Sequence, residues 1–110
     1  MRRMKILLAT VACIATAGSA YANDEVMKLQ KDPNNWAMQL GDYSGKRYSP
    51  LDQINTQNVK NLKVDWSFST GVLRGHEGGP LVIGDVMYVH TPFPNLVYAL
   101  SIKEKGKILW

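Results

Sequence analysis

The chain has 110 residues, 45% of them hydrophobic, with 13 Lys and Arg against 9 Asp and Glu for a formal charge of +4. Three of the cations and none of the acids lie in the first 22 residues, so the remainder carries +1, and charge gives no support for nucleic acid or an anionic membrane as a partner. The single cysteine, Cys13, lies in the same stretch, which excludes disulfides, thiolate metal sites and a cysteine nucleophile from the rest.

Residues 1–22 read as an export signal. Arg2, Arg3 and Lys5 precede an apolar run from Ile6 to Ala17, and Ala20-Tyr21-Ala22 is a small-x-small cleavage site. The run is shorter than the roughly 20 apolar residues that cross a bilayer. Cleavage after Ala22 is expected, leaving Asn23 as the first mature residue. Asp24 to Lys31 is weakly amphipathic, with acids at its start and a lysine at its end, as a helix dipole prefers. Asp32-Pro33-Asn34-Asn35 ends it. Trp36 to Leu40 is a short apolar patch, and Trp36 is suited to pack this lead-in against a sheet. Gly41 to Lys46 is rich in turn residues, and Arg47 to Leu51 should be extended up to its proline. Thr56 predicts an N-cap for a short helix over Gln57–Leu62 with Val59 and Leu62 inward. The lead-in thus covers residues 23–62.

From Lys63 to Trp110 the pattern predicts strands, at Lys63–Thr70, Pro80–Ile83, Val86–His90, Leu96–Leu100 and from near Lys107. Trp66, Phe68 and Thr70 alternate with smaller or polar residues. Gly84-Asp85 predicts a two-residue hairpin turn, and the prolines of Thr91-Pro92-Phe93-Pro94-Asn95 keep that connection out of a sheet interior. Short, evenly spaced strands predict an all-β protein with an antiparallel sheet, as in sandwiches, barrels or propellers. Between the first two strands lies Gly71-Val72-Leu73-Arg74-Gly75-His76-Glu77-Gly78-Gly79-Pro80. Four glycines around one carboxylate suit a backbone that approaches a ligand closely while aiming Glu77 inward. The plainer alternative is a solvated acid in a glycine turn.

The segment Tyr98 to Trp110, YALSIKEKGKILW, resembles the tryptophan-docking repeat of the pyrroloquinoline quinone (PQQ) dehydrogenase propellers. Ala99, Gly106 and Trp110 match that repeat; Ser101 replaces its Asp, Lys105 its Thr, and the Ala-to-Trp spacing is one residue long. In that repeat a small Ala lets a Trp ring lie against the neighbouring blade. Asp42 to Gly71 resembles the lead-in of quinoprotein alcohol dehydrogenases. Arg74 to Leu100 resembles the methanol dehydrogenase large subunit, and Arg74 ahead of Gly-His-Glu-Gly is more similar to its lanthanide-dependent than its calcium type. The apolar stretch Ile108-Leu109-Trp110 reads as the interior of a longer chain, so residues 63–110 are expected to be about one blade, the first strands of an eight-bladed β-propeller.

The resemblance implies a periplasmic enzyme that oxidises methanol or another small primary alcohol to the aldehyde. In the family, PQQ lies in the propeller channel, a calcium or lanthanide ion polarises its carbonyl, an Asp is the general base, and electrons pass to a cytochrome c. A homodimer or a complex with a small subunit is implied for the full-length protein. Of the family's cofactor contacts this stretch holds one, Glu77. The metal ligands, the catalytic Asp and a vicinal Cys-Cys ring are expected beyond Trp110, so this stretch alone is expected to be inactive. PQQ is a tricarboxylate, so Glu77 beside it requires a shared proton or an intervening cation. His76 and His90 read as structural, Trp66 as a core or docking aromatic, and Asp52, Asp65 and Asp85 as turn or surface acids. Lys103, Lys105 and Lys107 read as a solvated loop, with a docking patch for an acidic cytochrome as the alternative. Two further alternatives are a non-catalytic propeller scaffold of the outer-membrane assembly type and a free-standing β binding module.

Overall fold

The computed structural model describes residues 23–110, so the expected leader lies outside it. Four strands form one antiparallel sheet in sequential order: β1 (Leu81–Ile83), β2 (Val86–His90), β3 (Val97–Ser101) and β4 (Lys107–Ile108). This up-and-down meander is the blade expected from the sequence. β1 and β2 join through Gly84-Asp85, with positive φ at Gly84 alone of the two, as in a type II′ turn. The β3–β4 turn has Lys105 and Gly106 in the left-handed region, and the Gly106 N–H donates to the Ser101 carbonyl at 2.8 Å. Ser101 occupies the position of the repeat's Asp, and its hydroxyl accepts from Glu104 N at 3.1 Å. A hydroxyl therefore suffices to cap this turn.

Tyr88 is paired with Ala99, and β4 continues past Ala99 with an irregularity. Leu109 N donates to the Ala99 carbonyl at 2.8 Å, while Ala99 N donates to the Trp110 carbonyl at 3.0 Å. Two residues thus face one, as in a β-bulge. The bulge absorbs the extra residue in the Ala-to-Trp spacing and brings the Trp110 ring over Tyr88, at 6.2 Å between centroids and a tilt of 51°. Ala99 is fully buried and Leu100 is 1% exposed. Burying one leucine side chain contributes about 1.5–3 kcal/mol.

The lead-in is tied to the sheet. Trp36 bridges Val82 through N–H to carbonyl bonds of 2.7 and 3.0 Å, and the Asn35 amide oxygen accepts from Gly84 N at 2.8 Å. The Trp36 backbone makes this tie, while its indole lies against Gly41 of the lead-in. Helix α1 (Asp24–Leu29) is capped by Asn23, whose side chain accepts from Glu25 N and Val26 N.

Three expectations are corrected. Lys63–Thr70 forms no strand: it runs extended over the sheet, with Trp66, Phe68 and Thr70 half-buried and Asp65, Ser67 and Ser69 exposed. Phe68 meets Tyr98 edge-on at 5.0 Å, and Trp66 covers Gly106. The alternation reports one packed face; it says nothing of a hydrogen-bonded neighbour. The helix expected over Gln57–Leu62 is only a 3-10 turn at Val59–Asn61, with Val59 49% and Leu62 60% exposed. Thr56 is not its cap. Asn55 and Asn58 organise the turn instead: the Asn55 side chain accepts from Gln57 N and Asn58 N, and the Asn58 side chain accepts from Asn55 N. Arg47 also departs from the extended expectation, with φ of 53°.

Candidate functional site

Two loops at one end of the sheet enclose a concave pocket of about 370 Å³, within the usual range for small-ligand sites. The first carries Gly75, His76, Glu77 and Gly78. The second supplies Thr91, Pro92 and Asn95, with His90 at the end of β2. Glu77 lines this pocket and is solvent-exposed, an arrangement compatible with a ligand contact and with a solvated acid in a glycine turn.

The first loop has little backbone support. No backbone–backbone hydrogen bond is formed by residues 72–80 among the described residues. Side chains hold it instead. His76 Nδ1 lies 2.9 Å from the Arg74 carbonyl and Nε2 lies 3.1 Å from Thr70 Oγ1. A carbonyl can only accept, so Nδ1 carries the proton and Nε2 accepts from the threonine hydroxyl. Both ring nitrogens are committed locally, and the structural reading of His76 holds. Arg74 lies over the Phe93 ring at 5.9 Å from its centroid, a cation–π contact between the two loops. At Gly78 the ring of His90 occupies the space a side chain would need.

The second loop is fastened through Thr91, which is 2% exposed. Its N–H donates to the Leu96 carbonyl at 2.8 Å; its hydroxyl accepts from Leu96 N at 3.0 Å and donates to the Pro92 carbonyl at 2.8 Å. Asn95 adopts a φ of 63°, which asparagine tolerates well. The sequence reading treated these residues only as a connection. The available signal was an Asn and a Thr flanking Pro-Phe-Pro.

Asp52 is exposed, as expected of a surface acid. The lysine run is paired: Lys103 with Asp85, Lys105 with Asp65 at 2.9 Å and Lys107 with Glu104 at 2.7 Å, all solvent-exposed. The solvated-loop reading fits this arrangement, and the run presents mixed rather than uniform charge. Among the described residues, no group of three or more His, Cys, Asp or Glu is placed to hold a metal ion.

The described residues thus form a four-stranded antiparallel meander tied to its lead-in, with a carboxylate-bearing glycine loop lining a pocket at its end. The family model for the PQQ-type glucose/ethanol/alcohol dehydrogenase β-propeller domain matches residues 36–110, and the chain belongs to that family. It is 59% identical over 104 residues to a lanthanide-dependent methanol dehydrogenase of Methylorubrum extorquens, covering 94% of this chain and 17% of that protein. It is 56% identical over 97 residues to methanol dehydrogenase (cytochrome c) subunit 1 of Paracoccus denitrificans, covering 88% of this chain and 15% of that one. A solved europium-containing methanol dehydrogenase superposes with a TM-score of 0.76 at 58% identity, covering 80% of this chain and 16% of that one. The chain thus spans about a sixth of the length of these relatives. Their names are those of dehydrogenases, which weighs against the scaffold reading.

Proposed function

We propose that this chain is part of an exported, PQQ-dependent dehydrogenase that oxidises methanol or another small primary alcohol to the aldehyde, and that Glu77 is the cofactor contact this stretch contributes. The observation that carries the reading is Glu77 on the wall of the 370 Å³ pocket, flanked by Gly75 and Gly78. Gly75, two residues before the acid, has open space where a side chain would stand, so a flat ring system can approach the backbone there. When bound, PQQ would accept the alcohol's hydride, which carries both electrons of the oxidation.

A carboxylate facing a tricarboxylate is unfavourable by about 4 kcal/mol per pair at 4 Å for an effective dielectric of 20. Glu77 therefore shares a proton with the cofactor or is bridged by a cation, for which an arginine elsewhere in the full-length protein suits. The reading assigns the calcium or lanthanide ion's ligands and the general base to the rest of the full-length protein. Cytochrome c as acceptor is supported by the name of the Paracoccus relative. Periplasmic export is supported by the basic, apolar and small-residue order of residues 1–22.

The test is alcohol-dependent dye reduction by the purified full-length protein. Turnover of methanol or ethanol should require PQQ together with calcium or a lanthanide. Dye reduction that is indifferent to PQQ, or no PQQ bound under any loading condition, would remove the reading.

A further inference from the structure

We propose that His90 is a positioning residue for Glu77, acting through Gly78; this rests on the assignment of Glu77 to the cofactor. Three observations converge. First, the Glu77 loop lacks backbone hydrogen bonds among the described residues, and the His76 side chain fastens only the part before Glu77, so packing sets the part after it. Second, the Nδ1–Cε1–Nε2 edge of the His90 ring lies against Gly78. A Cβ at Gly78 would overlap Cε1 and Nε2 and come within 2.9 Å of Nδ1. Third, His90 sits at the end of β2 in register with Val97 of β3, so the ring is presented by paired backbone.

His90 also stands between two concavities. One is the Glu77 pocket; the other, of about 260 Å³, is lined by Met38, Gln39, Gly79, Leu81 and His90. His90 is solvent-exposed, and the edge of its ring set against Gly78 is the close contact the structure gives it. Its contribution is shape. The ring is a flat partition on which the peptide after Glu77 rests, and glycine is the residue that permits contact. Without the partition the loop gains room toward Met38 and Leu81, and the carboxylate loses its fixed distance from whatever occupies its own pocket.

The test uses the full-length protein with Gly78→Ala, His90→Ala, the double variant and His90→Phe. PQQ retention and a split of kcat from KM are read on the loaded protein, and the rate of limited tryptic cleavage after Arg74 on the cofactor-free protein. Gly78→Ala and His90→Ala should each weaken PQQ retention roughly tenfold, the scale expected of a small misplacement. The double variant should retain more PQQ than Gly78→Ala alone, because removing the ring makes room for the added methyl. His90→Phe, which keeps a flat ring, should stay within about threefold of the parent, and cleavage after Arg74 should be faster in His90→Ala but not in His90→Phe. Equal defects in Gly78→Ala with and without His90, or parental retention and cleavage in His90→Ala, would overturn the proposal. Glu77→Gln run in parallel separates the two claims: parental PQQ retention in that variant removes Glu77 from the cofactor, while the cleavage and double-variant results still decide whether His90 seats the loop.

Discussion

Ala99 and Trp110 are joined by a 3.0 Å bond from the alanine N–H to the tryptophan carbonyl, and the alanine is fully buried. The methyl group of Ala99 lies in the cross-strand row that begins at Tyr88, so it sets how near the Tyr88 and Trp110 rings come. Ala99→Val should force those rings apart and cost about 1–3 kcal/mol of stability through overpacking. Urea denaturation of the full-length protein measures this, and an unchanged midpoint would show the space to be slack.

Gly106 tells a similar story on the opposite face. Its φ is +84°, and a Cβ there would meet the Trp66 indole at 2.7 Å. Gly106→Ala should destabilise by about 2 kcal/mol, combining the left-handed backbone penalty with displacement of the indole. Tryptophan fluorescence followed through the same denaturation would show Trp66 more exposed before unfolding begins.

Those two positions also show how legible the chain was. The glycine in the last turn, the small residue before it and the ring after it were readable because each answers a local steric demand. So were β1 to β4, whose short apolar runs are bounded by turn residues. The segment from Lys63 to Thr70 was not, because its alternation of Trp66, Phe68 and Thr70 reports one packed face, and packing on Tyr98 and Gly106 satisfies that pattern without a strand partner. Thr56 carries the right residue type for a cap, yet Asn55 and Asn58 make the turn's hydrogen bonds. At the site, the glycine-rich loop that carries Glu77 was readable as an irregular turn between strands. The opposite wall, Thr91 and Asn95, was not, because its residues are brought there by the β2–β3 loop closing on itself, a relation that no local spacing encodes.

Thr91 is the fastening of that wall. Thr91→Val keeps the volume but removes the hydroxyl that accepts from Leu96 N and donates to the Pro92 carbonyl. The expected cost is about 1–2 kcal/mol, with faster amide exchange at Leu96. Unaltered exchange at Leu96 would mean the backbone bond alone closes the loop.

Asp42 gives a pH-dependent signature in the lead-in. The Ser44 hydroxyl, 2.6 Å from its carboxylate, is the main cause holding its pKa below the ordinary value; desolvation opposes it, and the backbone N–H groups of Lys46, Ser44 and Gly45 add to the lowering. Because the folded pKa is depressed, the stabilisation is present above the ordinary carboxylate pKa and is lost as pH falls through the lowered one. Ser44→Ala should raise the Asp42 pKa toward its ordinary value, read by NMR titration of the carboxyl carbon. An unmoved titration would assign the shift to the backbone donors instead.

The most direct measurement is the PQQ content of full-length Glu77→Gln after gel filtration, set beside its alcohol turnover. If the acid of the glycine loop faces the quinone, losing its charged hydrogen bond should lower retained PQQ about tenfold or more and lower turnover with it. A Glu77→Gln protein that keeps one PQQ per chain and parental turnover would contradict the account.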